Sequence, residues 1–301
     1  MSFKSTINRQ DILLRYQSGE NISRLLRDEE GNNTEGIVEL AYDLQSGSYI
    51  EALNDPEVLQ FKRDYGKLIA STIREFCEPG SILEAGVGEA TTLAFVLQVL
   101  TETISFGFDI SWSRIWVAKQ WIQSQNIAKD TSLFTASIFA IPLPDNSIDV
   151  VYTSHSIEPN GGMEEAAVKE LYRVARKYVI LLEPAYDLAS LEAKERMKSH
   201  GYCVHLFDVI QQLGLPVERH ELFPLTISSM NPTGVTIIRK PAEEALMPKF
   251  VCPVTGGILT EFGGALHSHQ HLAAYPIIGG IPCLRDESSV LASAISSFPK
   301  L

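Results

Sequence analysis

Residues 82–92, ILEAGVGEATT, run an apolar stretch into Gly86-Val87-Gly88 and then into a helical pattern. No other feature restricts the fold as strongly. Glycine admits the backbone conformations of a sharp turn and lets the main chain approach a ligand. A strand, a glycine turn and a helix in succession therefore predict a ligand-binding corner of an α/β sheet. The next strand carries a second signal: Asp109 closes the apolar run TISFGFDI, 25 positions after Glu84. A carboxylate at that strand end can accept both hydroxyls of a ribose.

The flanking pattern extends the corner into a sheet. ATTLAFVLQVL and WSRIWVAKQWIQSQ read as helices, SLFTAS and IDVVYTSHS as strands, EEAAVKELYRVAR as a helix and YVILLEP as a buried strand. Strands alternating with helices predict a doubly wound, Rossmann-like parallel sheet, here of seven strands. PVERHELFPLTI and GVTIIRK, joined by Met230-Asn231-Pro232-Thr233, predict a closing antiparallel hairpin. Short amphipathic runs before it, with turn signals at Ser18-Gly19, Gly31-Asn32 and Ser46-Gly47, predict a helical N-terminal cap over residues 1–78. The α/β domain spans 79–241. A stretch rich in Gly, Pro and His, 249–286, reads as a separate small β module. The 301 residues suffice for this unequal division.

The ligand can be narrowed. A dinucleotide fingerprint wants a third glycine where Thr91 stands, and the loop has no basic residue for a pyrophosphate. Glu84 before the glycines and Glu89 after them would repel phosphate but suit a ligand carrying an ammonium and a sulfonium. S-adenosylmethionine is such a ligand. On these residues the chain resembles the class I S-adenosylmethionine-dependent methyltransferases, from about Ser81 to Lys240: LEAGVGEA is similar to their first motif, FDIS to their second, and ASIFAIPLPDNSIDVVYTSHSIE to their loop and fourth strand. The resemblance implies that Glu84, Gly86 and Gly88 support the methionine end, that Asp109 holds the ribose, and that Ser137 and Ile138 flank adenine. Many members have an acid where Ser137 stands, so the adenine amino group must find another acceptor here.

In a doubly wound sheet ligands bind beyond the carboxyl ends of the strands, so the loop after the fourth strand should face the transferable methyl. That loop, Thr153 to Gly162, supplies His155, Glu158 and Asn160 as candidate catalytic residues. Methyl transfer needs alignment and, for a hydroxyl acceptor, removal of a proton, which His155 can perform. Glu183 and Tyr186 are further substrate candidates. Trp112 is a candidate cover for adenine, Trp116 and Trp121 read as packing residues, and His220 beside Glu221 reads as a surface pair.

The tail resembles the small zinc-ribbon-like domain of the tRNA-methyltransferase activator family through Cys252-Pro253, Tyr275-Pro276-Ile277 and Gly280-Ile281-Pro282. Zinc-binding relatives have a C-x-x-C pair where this chain has Cys252 and Thr255. His267, His269 and His271, all on one face if the segment is an extended strand, replace the returning cysteines. A metal-free module is expected. It can cover the cleft or mediate self-association as a homodimer. A net charge of -12 without basic runs argues against large nucleic acids. The absence of an apolar leader or of a stretch long enough to cross a bilayer predicts a cytoplasmic protein. The sum is a methyltransferase acting on a small or medium polar acceptor such as a metabolite or sugar derivative. RNA or protein methylation, and a cofactor-binding scaffold without turnover, are the alternatives.

Overall fold

Asp55 accepts from the Glu57 amide and Pro56 takes the first helical position, the two features that start a helix cleanly, and α5 runs Pro56–Phe76. Among the described residues four shorter helices precede it: α1 (Arg9–Gln17), α2 (Ile22–Glu30), α3 (Glu35–Leu44) and α4 (Ser48–Ala52). Ile12, Ile22, Leu26 and Ile37 give this cap its own small core. The computed structural model describes residues 8–30, 33–125, 131–241 and 244–294. The turn signal at Gly31-Asn32 lies outside them.

Seven strands follow, β1 (Ser81–Ala85), β2 (Ile104–Asp109), β3 (Thr131–Thr135), β4 (Ile148–Ser154), β5 (Ala175–Pro184), β6 (Val217–Leu222) and β7 (Thr233–Arg239), in the order β3-β2-β1-β4-β5-β7-β6. The first five are parallel, and β7 runs antiparallel to both β5 and β6. The expected doubly wound sheet with its closing hairpin is the observed one. Its central strands are apolar along their length because both faces are covered. Helices α5, α6 (Thr91–Leu97) and α7 (Trp112–Ser124) pack one face through Ile69, Leu93 and Ile115. Helix α8 (Glu164–Val174) and α10 (Leu206–Gln212) pack the other through Val168, Leu171 and Ile210, while α9 (Leu191–Ser199) lies between β5 and β6 in the chain.

The tail forms a second sheet, β8 (Leu259–Phe262), β9 (Ala265–Ser268), β10 (Ala273–Ile278) and β11 (Ile281–Pro282), with β12 (Val290–Leu291) on β10. Its apolar residues Cys252, Leu266, Tyr275 and Leu284 join the core of the α8 face. The Leu284 amide donates to Thr135 O at 2.9 Å, so the tail covers the otherwise open edge of β3. His267, His269 and His271 do not share a strand face. β9 ends at Ser268, and a turn carries the exposed His269 and then His271, which pairs with Asp286 at 2.9 Å, while the buried His267 bonds Phe262 O. Among the described residues no three His, Cys, Asp or Glu side chains cluster as a metal site.

Candidate active site

The corner predicted at Gly86 forms where β1 meets the loop after β4. Gly86 has φ +73°, and a Cβ there would fall 2.2 Å from that of Ser156, whose hydroxyl donates to Ala85 O. Gly88, at φ +54°, lies under the Tyr49 ring. At Gly86 only a residue without a side chain lets the segments approach so closely, and at Gly88 the left-handed backbone itself favours glycine. Beyond the turn opens a cleft of about 510 Å³, lined by Glu84, Gly86, Gly88, Asp109 and Ile138 together with His155, Glu158 and Asn160.

Each carboxylate in the cleft is held. Asp109 accepts from the Gly88 amide at 3.0 Å and the Ser111 amide at 2.9 Å, one bond to each oxygen, which leaves lone pairs on both. Glu84, 2% exposed, accepts from Tyr152 Oη at 2.7 Å. Burial pushes its pKa up to about 8, against the Tyr152 hydrogen bond and the nearby Lys62 charge. Glu183 accepts from the amides of Ser156, Ile157 and Glu158 and so fixes the loop; burial raises it to about 7.

His155 sits in the left-handed region at φ +55°, held from both sides. Its Nδ1 lies 2.7 Å from Glu158 Oε2 and its Nε2 lies 2.8 Å from Thr233 Oγ1 at the start of β7. Burial would lower its pKa, but the hydrogen bond and charge of Glu158 outweigh burial and the value is raised. Asn231 also donates to Glu158, at 3.2 Å. The Asn160 amide turns back onto Ser156 O and Ile157 O, both at 3.3 Å, so it braces the loop while lining the cleft.

Residues 82–178, less than half of the chain, match the model of a family described as a methyltransferase domain. That segment matches a methyltransferase domain, and the fold around it is of the methyltransferase type. The methyltransferase fold extends past the matched segment. The structure is similar to magnesium protoporphyrin IX methyltransferase from Synechocystis PCC 6803 with bound S-adenosylhomocysteine, at 13% identity and TM-score 0.55, over 69% of this chain and 100% of that one. It is also similar to a candidate O-methyltransferase from Nostoc punctiforme PCC 73102, at 15% identity and TM-score 0.54, over 76% and 69%. No curated protein matches the sequence.

Several expected residues sit elsewhere in this fold. Glu89 does not face the cleft: it is fully buried and accepts from the Gly47 and Ile50 amides at 2.8 Å, fastening α4 to the glycine turn. Trp112 stacks on Trp116 and packs against the Gly279 turn of the tail. The Ser137 hydroxyl is taken up by Glu35. His220 is not a surface pair with Glu221; it stacks on Phe207 and bonds Thr236 and Asp187.

The N-terminal cap supplies cleft residues that the motifs do not reveal. Val58, Lys62 and Tyr65 line the cleft from one face of α5, with Lys62 Nζ 3.5 Å from Thr92 Oγ1. A lysine four residues after one apolar partner and three before another was the available signal. Glu35, Val38 and Tyr42 line it from α3 with a similar helical spacing. Arg114, 1% exposed, lies between the rings of Tyr42 and Tyr49 at 4.9 and 4.2 Å and donates from Nε to Tyr42 O.

Proposed function

We propose that the cofactor lies across the carboxyl ends of β1, β2 and β3 and that a small or medium polar acceptor enters beside His155 and Glu158. One continuous cleft lined both by the glycine corner with Asp109 and by the β4 loop carries this reading. Gly86 and Gly88 line the cleft with backbone rather than side chains, and the buried carboxylates suit a ligand with an ammonium and ribose hydroxyls. Glu84 with the Gly86 and Gly88 backbone would hold the methionine end, Asp109 the ribose, and Ile138 and the Ser137 main chain the adenine. The bound cofactor supplies a methyl group on a sulfonium, open to direct displacement. His155, oriented by Glu158, accepts the proton of a hydroxyl acceptor once Thr233 yields Nε2. Asn160 and Glu183 keep that loop in place.

Calorimetry with S-adenosylhomocysteine tests the reading. Wild-type protein binds, and Asp109→Ala weakens binding by about 1–3 kcal/mol, the cost of losing a charged acceptor. A folded Asp109→Ala protein with unchanged affinity removes Asp109 from the site. His155→Ala and Glu158→Gln should lower kcat/KM on an acceptor found by panel screening while sparing cofactor affinity. Binding without turnover across such a panel would favour the scaffold reading. The acidic chain speaks for a metabolite rather than RNA. Among the described residues no helix is long and apolar enough to cross a membrane, and we place the protein in the cytoplasm. For the C-terminal β module, which resembles a zinc-ribbon-like domain, we infer a fold that needs no metal.

A further inference from the structure

The adenine end of the cleft is completed from outside the α/β domain. Ser137, in the loop after β3, donates to Glu35 Oε1 at 2.5 Å, and Glu35 is the first residue of α3. A carboxylate offers about four lone-pair sites, and the Ser137 hydroxyl uses one. Glu35 lines the cleft together with the apolar Val38, Ala136 and Ile138, so an acceptor stands among apolar lining residues. Four residues along the same helix, Glu39 forms an ion pair at 2.6 Å with Arg285, which is 3% exposed and follows β11 in the tail. Residues four apart share a helix face, so one face of α3 is gripped twice, by the β3 loop and by the tail.

We propose that Glu35 accepts the exocyclic amino group of adenine, and that the C-terminal module, through Arg285 and Glu39, positions α3 for this contact. The proposal rests on the cofactor reading above and adds to it a specificity residue and its positioning residue, both outside the matched segment. The tail then acts at two points, because the same segment seals the β3 edge through Leu284 and holds the helix that reads the purine. Glu35 is a binding residue and Arg285 a positioning residue.

The test compares S-adenosylhomocysteine with its 6-deamino analogue, which has hydrogen in place of the amino group, by calorimetry on the full chain. Wild type should prefer the amino compound by about tenfold or more, as expected for a hydrogen bond to a charged group. Glu35→Ala should bring the preference to about twofold or less while leaving affinity for the deamino analogue unchanged. Glu35→Gln keeps the side-chain length and one neutral acceptor oxygen, so its preference should fall part of the way, and it carries the same test if alanine loosens α3. Arg285→Met should lower the preference without changing affinity for the deamino analogue, and Arg285→Lys should restore it. A wild-type preference retained in both Glu35 variants, or equal losses for the two ligands, overturns the proposal. Failure of wild type to bind either ligand removes the cofactor reading instead.

Discussion

His155 Nδ1 and Glu158 Oε2 lie 2.7 Å apart, three residues from each other on one loop, with the ring closed from the far side by Thr233. A loop built this way presents its imidazole in one orientation, and it couples the orientation to charge.

Glu158 raises the His155 pKa above its ordinary value of about 6.5 despite burial. A raised folded pKa gives stability that is complete below the unfolded value and is lost as pH rises through the folded one. His155→Gln should therefore destabilise the protein more at pH about 5.5 than at pH about 8.5, by about 1–2 kcal/mol at the lower pH. Chemical denaturation at both values checks this; equal losses would mean that the ring is held neutral.

Glu84, raised to about 8 by burial, is largely protonated at neutral pH in the free protein. An ammonium brought beside it favours the carboxylate, so binding S-adenosylhomocysteine at pH about 7 should release protons. Calorimetry in buffers of differing ionisation enthalpy should count close to one proton, and Glu84→Gln should abolish the release. By the same linkage the free protein loses stability as pH rises from about 4.5 through about 8.

Glu89 joins α4 to the glycine turn through two amides and lies 3.8 Å from the buried Arg114. Its removal takes away the carboxylate of that pair and leaves the buried guanidinium to the Tyr42 and Tyr49 rings, Tyr42 O and the charge of Asp109. Glu89→Ala should cost about 3–5 kcal/mol and loosen the cap, read as a lower Tm and faster proteolysis before α5. Cleavage no faster than in wild type would show that the cap is held by other contacts.

Protein purified without a histidine tag should contain far less than stoichiometric zinc. Cys252 is buried against Tyr275 Oη at 3.4 Å, while His267 and His271 are committed to Phe262 O and Asp286. Elemental analysis giving near one zinc per chain, lost in Cys252→Ala, would show that these contacts give way to the metal.

The order of strands and helices from Ser81 to Lys240 was legible in the sequence because its signals are local. Alternation fixes strand faces, Gly86 and Gly88 demand a turn, and Asp109 closes the strand that must lie beside β1. The placement of Asp109, His155, Glu158 and Asn160 around one cleft followed from the rule that ligands sit at the carboxyl ends of parallel strands, whereas Ile138 came from the family resemblance. Contacts between distant segments had no such signature. Whether Glu89 faced a ligand or a helix start depended on where α4 came to rest, 39 to 42 residues earlier in the chain. Glu35 and Ser137 are 102 positions apart, and nothing in either stretch announces the pair. Sequence periodicity reports the burial of a face, whereas the partner of a buried charge is settled by packing, since only there does desolvation force each polar group to find its complement.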